Sequence, residues 1–451
     1  MPGRSDGSGV RLVVKQVIMM SAIAATPLVL LNCAAPADES SDPALEQQIL
    51  RGRELVLEHA CSGCHGGSFT PDGATWLVGL TPARAELEFR IGPCAAQPDA
   101  QPCFLTRPRN LTPDDLTGLG RFTERQIFNA LRFGLRPGET PDVEITSTTP
   151  GEGNFPVTPK YLAPPMPWPA WRHMPDEDLR AIAVYLKQGV APVSNRVEDS
   201  EGPPDFWAGL LAPFLAENPY PAVPFPTNNE MEPVDPSVNR EQVLRGRQVA
   251  IQHDCGACHG GGTNPASDGF LQGIRPPAVP AFPVGLTGQP AMGGTCAMQP
   301  QGTPCWMMRP RNLTPHPASG TGQYTDRQIF NALRFGLRPS TTPDVEITST
   351  TPGQGNFPEK PDYLGLGMPW PGWRFMSDAD LWAVIAYLKH GLKPVDNVVE
   401  ASDAPEDLWA SEYTVDKIGP YPAPSYPTRN EVRKSTRFRM AAGSSNVRNF
   451  R

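Results

Sequence analysis

Apolar and polar positions along this chain mark the same set of short helices twice. Thr123-Glu124-Arg125-Gln126 and Thr325-Asp326-Arg327-Gln328 have the capping-box pattern, in which hydroxyl and glutamine each bond the other residue's backbone N–H. They predict helices over Ile127 to Phe133 and Ile329 to Phe335, stopped by Gly134 and Gly336, where a glycine takes the left-handed cap. Asp42-Pro43 and Asp235-Pro236 offer an N-cap and a first-turn proline for an earlier helix in each half. A later pair spans Asp178 to Leu186 and Asp380 to Leu388, ending near Gly189 and Gly391. Strand signals are few, with Val143 to Thr146 and its copy as short extended candidates. Gly52 and Gly246 fall inside the first helix of each half, where glycine costs roughly 1 kcal/mol against alanine. Tyr185 or Tyr387 on a crossing helix would explain the missing side chain.

Ahead of these elements, Arg4, Arg11 and Lys15 precede an apolar run from Val17 to Leu31. That run is too short to span a bilayer comfortably, and a basic start before it is the pattern of an export signal. It ends at Leu30-Leu31-Asn32-Cys33, which resembles a bacterial lipoprotein signal with Cys33 as the lipidated residue. Ordinary signal cleavage and an uncleaved anchor are the other readings. Residues 34–41 read as a tether.

The repetition is systematic. Arg51-Gly52-Arg53 returns as Arg245-Gly246-Arg247, shifted by 194 positions, while Cys94, Asn129, Met166 and Tyr185 return shifted by 202 as Cys296, Asn331, Met368 and Tyr387. The second copy therefore holds an insertion after its first helix. Two tandem domains follow, 42–232 and 233–433, with a boundary near Asn229 to Pro233 and a basic tail over 434–451. Residues 140–156 and 342–358 differ at one position only. That closeness fits either loops whose turns need these residues or a shared functional surface.

Composition adds two constraints. The 55 prolines in 451 residues far exceed the usual ~5% and predict long irregular segments around the helices. A net charge of −8 argues against nucleic acid as a partner.

The chemistry lies in Cys61-Ser62-Gly63-Cys64-His65 and Cys255-Gly256-Ala257-Cys258-His259. C-x-x-C-H is the attachment sequence of c-type haem. Cys61, Cys64, Cys255 and Cys258 would form thioethers, and His65 and His259 would each bind iron. For the opposite side of each iron the candidates are Met166 or Met174, and Met368 or Met376. Met166 and Met368 lie in proline-rich loops and are the preferred pair, since proline limits loop motion and a thioether is a soft ligand. Met174 and Met376, at a helix start, suit a packing role better. His59 and His253 lie six residues before His65 and His259, on the proximal side, and are expected to be exposed or at a propionate edge. Cys94 with Cys103, and Cys296 with Cys305, read as local disulfides in an exported chain; free or crossed cysteines are the alternative. One arginine of Arg107-Pro108-Arg109, and one of Arg309-Pro310-Arg311, would hold a propionate or form a solvated pair.

Each copy resembles a class I cytochrome c domain: helix, C-x-x-C-H, middle helix, methionine loop, last helix. Arg109-Asn110-Leu111-Thr112-Pro113, Ala130-Leu131-Arg132, Met166-Pro167-Trp168 and Asp176-Glu177-Asp178-Leu179 resemble the cytochrome subunits of membrane-bound periplasmic dehydrogenases. The resemblance implies an all-α fold of two tandem cytochrome c-like domains with long proline-rich loops. It implies a periplasmic electron carrier with two covalent haems c, each an iron bound by histidine and methionine. Redox proteins would be the partners: a dehydrogenase, another cytochrome or a terminal oxidase. The rival readings are a cytochrome subunit of a membrane dehydrogenase or respiratory complex, and a dihaem enzyme, a peroxidase or sulfur-compound dehydrogenase, whose two haem sites should differ. Here the copies match at every proposed ligand.

Overall fold

Up to its last helix, each copy of the repeat folds into the same series of helices, because the same local signals stand at the same places. A computed structural model describes residues 42–91, 103–163, 166–202, 204–274, 282–285, 305–365, 367–402, 408–411 and 413–433. The expected signal and tether with Cys33, the basic tail, and Cys94 and Cys296 lie outside the described residues. The first copy contains α1 (Pro43–Glu58), α2 (Cys61–Cys64), a hairpin of β1 (Phe89–Ile91) and β2 (Phe104–Thr106), α3 (Glu124–Phe133), α4 (Trp168–Trp171), α5 (Asp176–Val184) and α6 (Pro204–Glu217). The second contains α7 (Arg240–Gln252), α8 (Cys255–His259), a hairpin of β3 (Phe282–Gly285) and β4 (Cys305–Met308), α9 (Asp326–Phe335), α10 (Trp370–Trp373), α11 (Asp378–Ala386) and α12 (Val415–Ile418). The protein is helical with almost no strand, as an all-α class requires. No helix among the described residues is long and apolar enough to cross a membrane.

Local chemistry sets the helix limits. Both capping boxes form, and α3 and α9 end at Gly134 and Gly336 with φ of 68° and 69°. Asp42 caps α1, accepting from the Ala44 backbone N–H. In the second copy the expected cap Asp235 instead accepts from Ser237, and Asn239 caps α7 through the N–H groups of Glu241 and Gln242. The spare four residues form a turn because an Asx side chain can serve its own backbone two residues on. Residues 143–146 form no strand; the extended pairs are the two hairpins. α5 and α11 each end in one wider π turn, Tyr185–Gly189 and Tyr387–Gly391.

α1 crosses α5, and α7 crosses α11, at the mid-helix glycines. A Cβ on Gly52 would lie 2.0 Å from the Ala181 carbonyl oxygen, and one on Gly246 1.8 Å from that of Ala383; Tyr185 and Tyr387 complete each contact. Arg51 and Asp178, at 2.8 Å, lock the first crossing, and Arg245 and Asp380, at 2.6 Å, the second. Propensity alone would make alanine ~1 kcal/mol better here. Overpacking against rigid backbone outweighs that. Gly246→Ala is expected to destabilise by ~1–3 kcal/mol; a thermal midpoint at or above that of the parent would refute the close crossing.

The end segments of the two copies are exchanged. Residues 42–433 fall within one compact unit. Glu230, from the end of the first copy, bonds Arg247 (2.6 Å) and the Tyr387 hydroxyl (2.6 Å) of the second. Glu431, from the end of the second, bonds Arg53 (2.7 Å) and the Tyr185 hydroxyl (2.6 Å) of the first. Backbone pairs follow the same pattern: Met231 with Gly391 and Asn229 with Lys393, Val432 with Gly189 and Asn430 with Ala191. Both glutamate side chains are fully buried.

Candidate haem sites

α1 stops at His59, and Ala60 then takes a left-handed conformation (φ 49°, ψ 37°) before α2 begins at Cys61. Asp254 does the same before α8 (φ 53°, ψ 39°). The left-handed region costs a residue with a Cβ roughly 1–2 kcal/mol, so a strained joint set at the same point twice marks the motif that follows. It turns the chain so that C-x-x-C forms a separate helical turn. Cys61 and Cys64, three residues apart, then share one side of that turn. Cys255 and Cys258 stand in the same relation on α8.

The histidines are oriented by one backbone atom each. His65 Nδ1 lies 2.7 Å from the Arg109 carbonyl oxygen, and His259 Nδ1 lies 2.7 Å from that of Arg311. A carbonyl only accepts, so Nδ1 carries the hydrogen and Nε2 keeps its lone pair. A second partner of this kind fixes tautomer and ring direction in metal-binding histidines. Burial holds both imidazoles below their usual pKa, which keeps them neutral and able to ligate. Asn110 sets the supporting turn: its Nδ2 donates to Val193 O, and its Oδ1 accepts from the Thr112 backbone and hydroxyl. Asn312 repeats this with Val395 and Thr314. The matching Arg-Asn-Leu-Thr-Pro runs were the sequence signal; the side chain suggested by them was arginine, but the working atom is its carbonyl.

Met166 lies in a loop whose ends are closed by stacked rings. Tyr161 and Trp168 stack at 5.5 Å, and Tyr363 and Trp370 at 5.7 Å around Met368. Trp168 lies against Gly134, where a Cβ would come within 2.1 Å of the indole. Arg132 ties the far end of the loop to α5 through the Arg172 carbonyl and Asp176; Arg334 does so through Arg374 and Asp378. Met166 and Met368 are partly buried against two apolar clusters each. Met174 and Met376 are only 2% and 4% exposed and belong to the helical core beside Leu179 and Leu381.

The other candidates fall as follows. Arg107 pairs with Glu88 and Glu201, and Arg109 with Asp199. Arg172 and Arg374 are buried, each with an unpartnered Nε among the described residues, and burial lowers both to about 10. Arg172 lines a cavity of about 250 Å³ with Phe133, Phe155, Tyr161 and Trp168. Cys103 is disulfide-bonded; Cys305 is described only in its backbone. His59 and His253 are not exposed. Their rings stack at 4.2 Å between the two copies, and His253 Nε2 lies 2.8 Å from Glu58.

A mostly helical chain with these motifs has the features of a cytochrome c, and the comparisons agree: it is similar to cytochrome c subunits of dehydrogenases. It is 28% identical over 253 residues to the gluconate 2-dehydrogenase cytochrome c subunit of Pantoea cypripedii, covering 53% of this chain and 44% of that protein. It is 25% identical over 291 residues to the cytochrome c subunit of a quinone alcohol dehydrogenase from Komagataeibacter europaeus, covering 63% and 47%. It is 28% identical over 173 residues to the fructose dehydrogenase cytochrome subunit of Gluconobacter japonicus, covering 38% and 26%. The chain thus spans about half the length of the first two relatives. No family model matches it.

Proposed function

We propose that this chain is an exported dihaem c-type cytochrome that passes single electrons between redox partners. Two haem domains, 42–232 and 233–433 in sequence, would carry one haem each and exchange their end segments. Cys61 and Cys64, and Cys255 and Cys258, would hold the haems; His65 with Met166, and His259 with Met368, would bind the irons. The observation that carries this is the pair of histidines beside C-x-x-C, each with Nδ1 on a backbone carbonyl and Nε2 left for iron. Bound haem would supply a one-electron change of iron oxidation state.

The protein's own share is to fix the imidazoles through Arg109 and Arg311, to hold the methionine loops by ring stacking and the Arg132 and Arg334 ties, and to keep water out with Trp168 and Trp370. Arg172 and Arg374 are the guanidiniums suited to a propionate. Disulfides Cys94–Cys103 and Cys296–Cys305 would pin the loop after each motif, and lipidated Cys33 would tether the protein to a membrane. The names of the relatives support a dehydrogenase as electron donor, with this chain as its cytochrome subunit or its soluble-side acceptor. Titration with a one-electron reductant is expected to consume two equivalents per chain. Turnover of peroxide by the oxidised protein would overturn the carrier reading in favour of an enzyme.

A further inference from the structure

Where the two copies meet, the structure buries a glutamate beside a pair of stacked imidazoles. Glu58 ends α1, His59 follows it, and His253 follows α7. The imidazoles lie parallel within 6° at 4.2 Å, with Trp171 edge-on to His59 and Trp373 edge-on to His253. Glu58 Oε1 is 2.8 Å from His253 Nε2, and these two side chains are 2% and 3% exposed. Glu58 Oε2, His59 Nε2 and both amide atoms of Gln252 are buried with no hydrogen-bond partner among the described residues. A donor set of two histidines and a carboxylate could suggest a metal ion. Parallel rings, however, send their lone pairs side by side and not to a common point, so the arrangement suits a proton better.

The position is as telling as the chemistry. Glu58 is three residues before Cys61, and its partner His253 is two residues before Cys255. One acid therefore stands at the start of both C-x-x-C-H motifs. The symmetric position in the second copy holds Gln252, which cannot ionise, so the interface carries one such acid and not two.

We propose that Glu58, held against His253, is a redox-linked proton site shared by the two halves, taking up a proton when the cytochrome accepts an electron. This rests on the dihaem reading above. In the oxidised protein Glu58 is a carboxylate. An electron arrives from the reduced partner, the positive charge nearby falls by one, and a proton from solvent joins Glu58 at the unpartnered Oε2, while His253 Nε2–H goes on donating to Oε1. Oxidation reverses both transfers, so net charge within the cluster is conserved. Burial raises Glu58 above the ordinary carboxylate range and lowers His59 and His253 to about 3, so the imidazoles stay neutral and the acid is the group that titrates. The other charged groups nearby are already paired, Arg51 with Asp178 and Arg245 with Asp380, apart from buried Asp254, which burial raises to about 6.

Reciprocity between proton and electron binding gives the test. Haem potentials of the full chain are measured against pH by spectroelectrochemistry, with both haems first confirmed as covalent and low-spin in the same sample. Potentials are expected to fall as pH rises above the ordinary carboxylate range, by at most about 59 mV per unit, the one-electron value of a tenfold change. Glu58→Gln is expected to abolish that slope, and to fold, because Gln252 occupies the same surroundings in the other copy. Asp254→Asn is expected to keep it. Potentials independent of pH, or a slope that survives Glu58→Gln, or one lost only in Asp254→Asn, would overturn the proposal while leaving the dihaem reading intact. Independently of any variant, the infrared difference spectrum on reduction is expected to show a buried carboxyl gaining a proton; its absence would count equally against the proposal.

Discussion

Met166→Ala is expected to convert one of two low-spin haems to high-spin and to remove about half of the methionine-to-iron absorption at the red end of the oxidised spectrum. Met368→Ala is expected to do the same to the other haem, and the double variant to remove the band entirely. The reason is positional. Both sulfurs lie in loops closed by a Tyr–Trp stack and tied to the next helix by a buried arginine. Loss of the thioether should also lower the potential of that haem, since His/Met ligation raises it. Met174→Leu is the control. It is a near-isosteric core change of the kind that costs under ~1.5 kcal/mol, and the spectrum should not move. A high-spin species from Met174→Leu, with Met166→Ala unchanged, would transfer the ligand role to the helix-start methionines.

The second large effect concerns the exchanged ends. Glu431→Leu would leave the Arg53 guanidinium and the Tyr185 hydroxyl buried without their acceptor. Removing one member of a buried pair costs ~3–5 kcal/mol, whereas replacing both with apolar groups can be neutral. Glu431→Leu is therefore expected to lower stability sharply, and Arg53→Met combined with Glu431→Leu to recover most of the loss. Glu230 and Arg247 should behave alike. Strictly additive losses in denaturant unfolding would show that the two side chains do not meet. The exchange also predicts that a chain cut within the exposed stretch 234–237 will stay together on gel filtration.

What the sequence made legible follows from range. The capping boxes, the glycine stops and the helix crossing at Gly52 depend on residues a few positions apart or on one missing Cβ, and all were readable. Helix start at Asn239 was misread because Asp235 and Asn239 are both good caps, and only the turn around Ser237 separates them. The exchange of 223–231 with 424–432 was hidden for another reason. The two receiving sites, Arg53 with Tyr185 and Arg247 with Tyr387, are near copies, so either glutamate suits either site, and pattern cannot say which it meets. The His59–His253 stack was hidden by the same degeneracy, since each histidine lies against its counterpart in the other copy. At the two C-x-x-C-H motifs, the cysteines and histidines stand out by their spacing alone. The groups that orient them, a backbone carbonyl held by Asn110 or Asn312, have no side-chain signature of their own.

The most direct test is the spectrum of the purified protein, taken together with its covalent haem content. The account expects two haems per chain, both low-spin, both showing the methionine-to-iron absorption when oxidised. One haem per chain, or a high-spin iron in the unmodified protein, would contradict it.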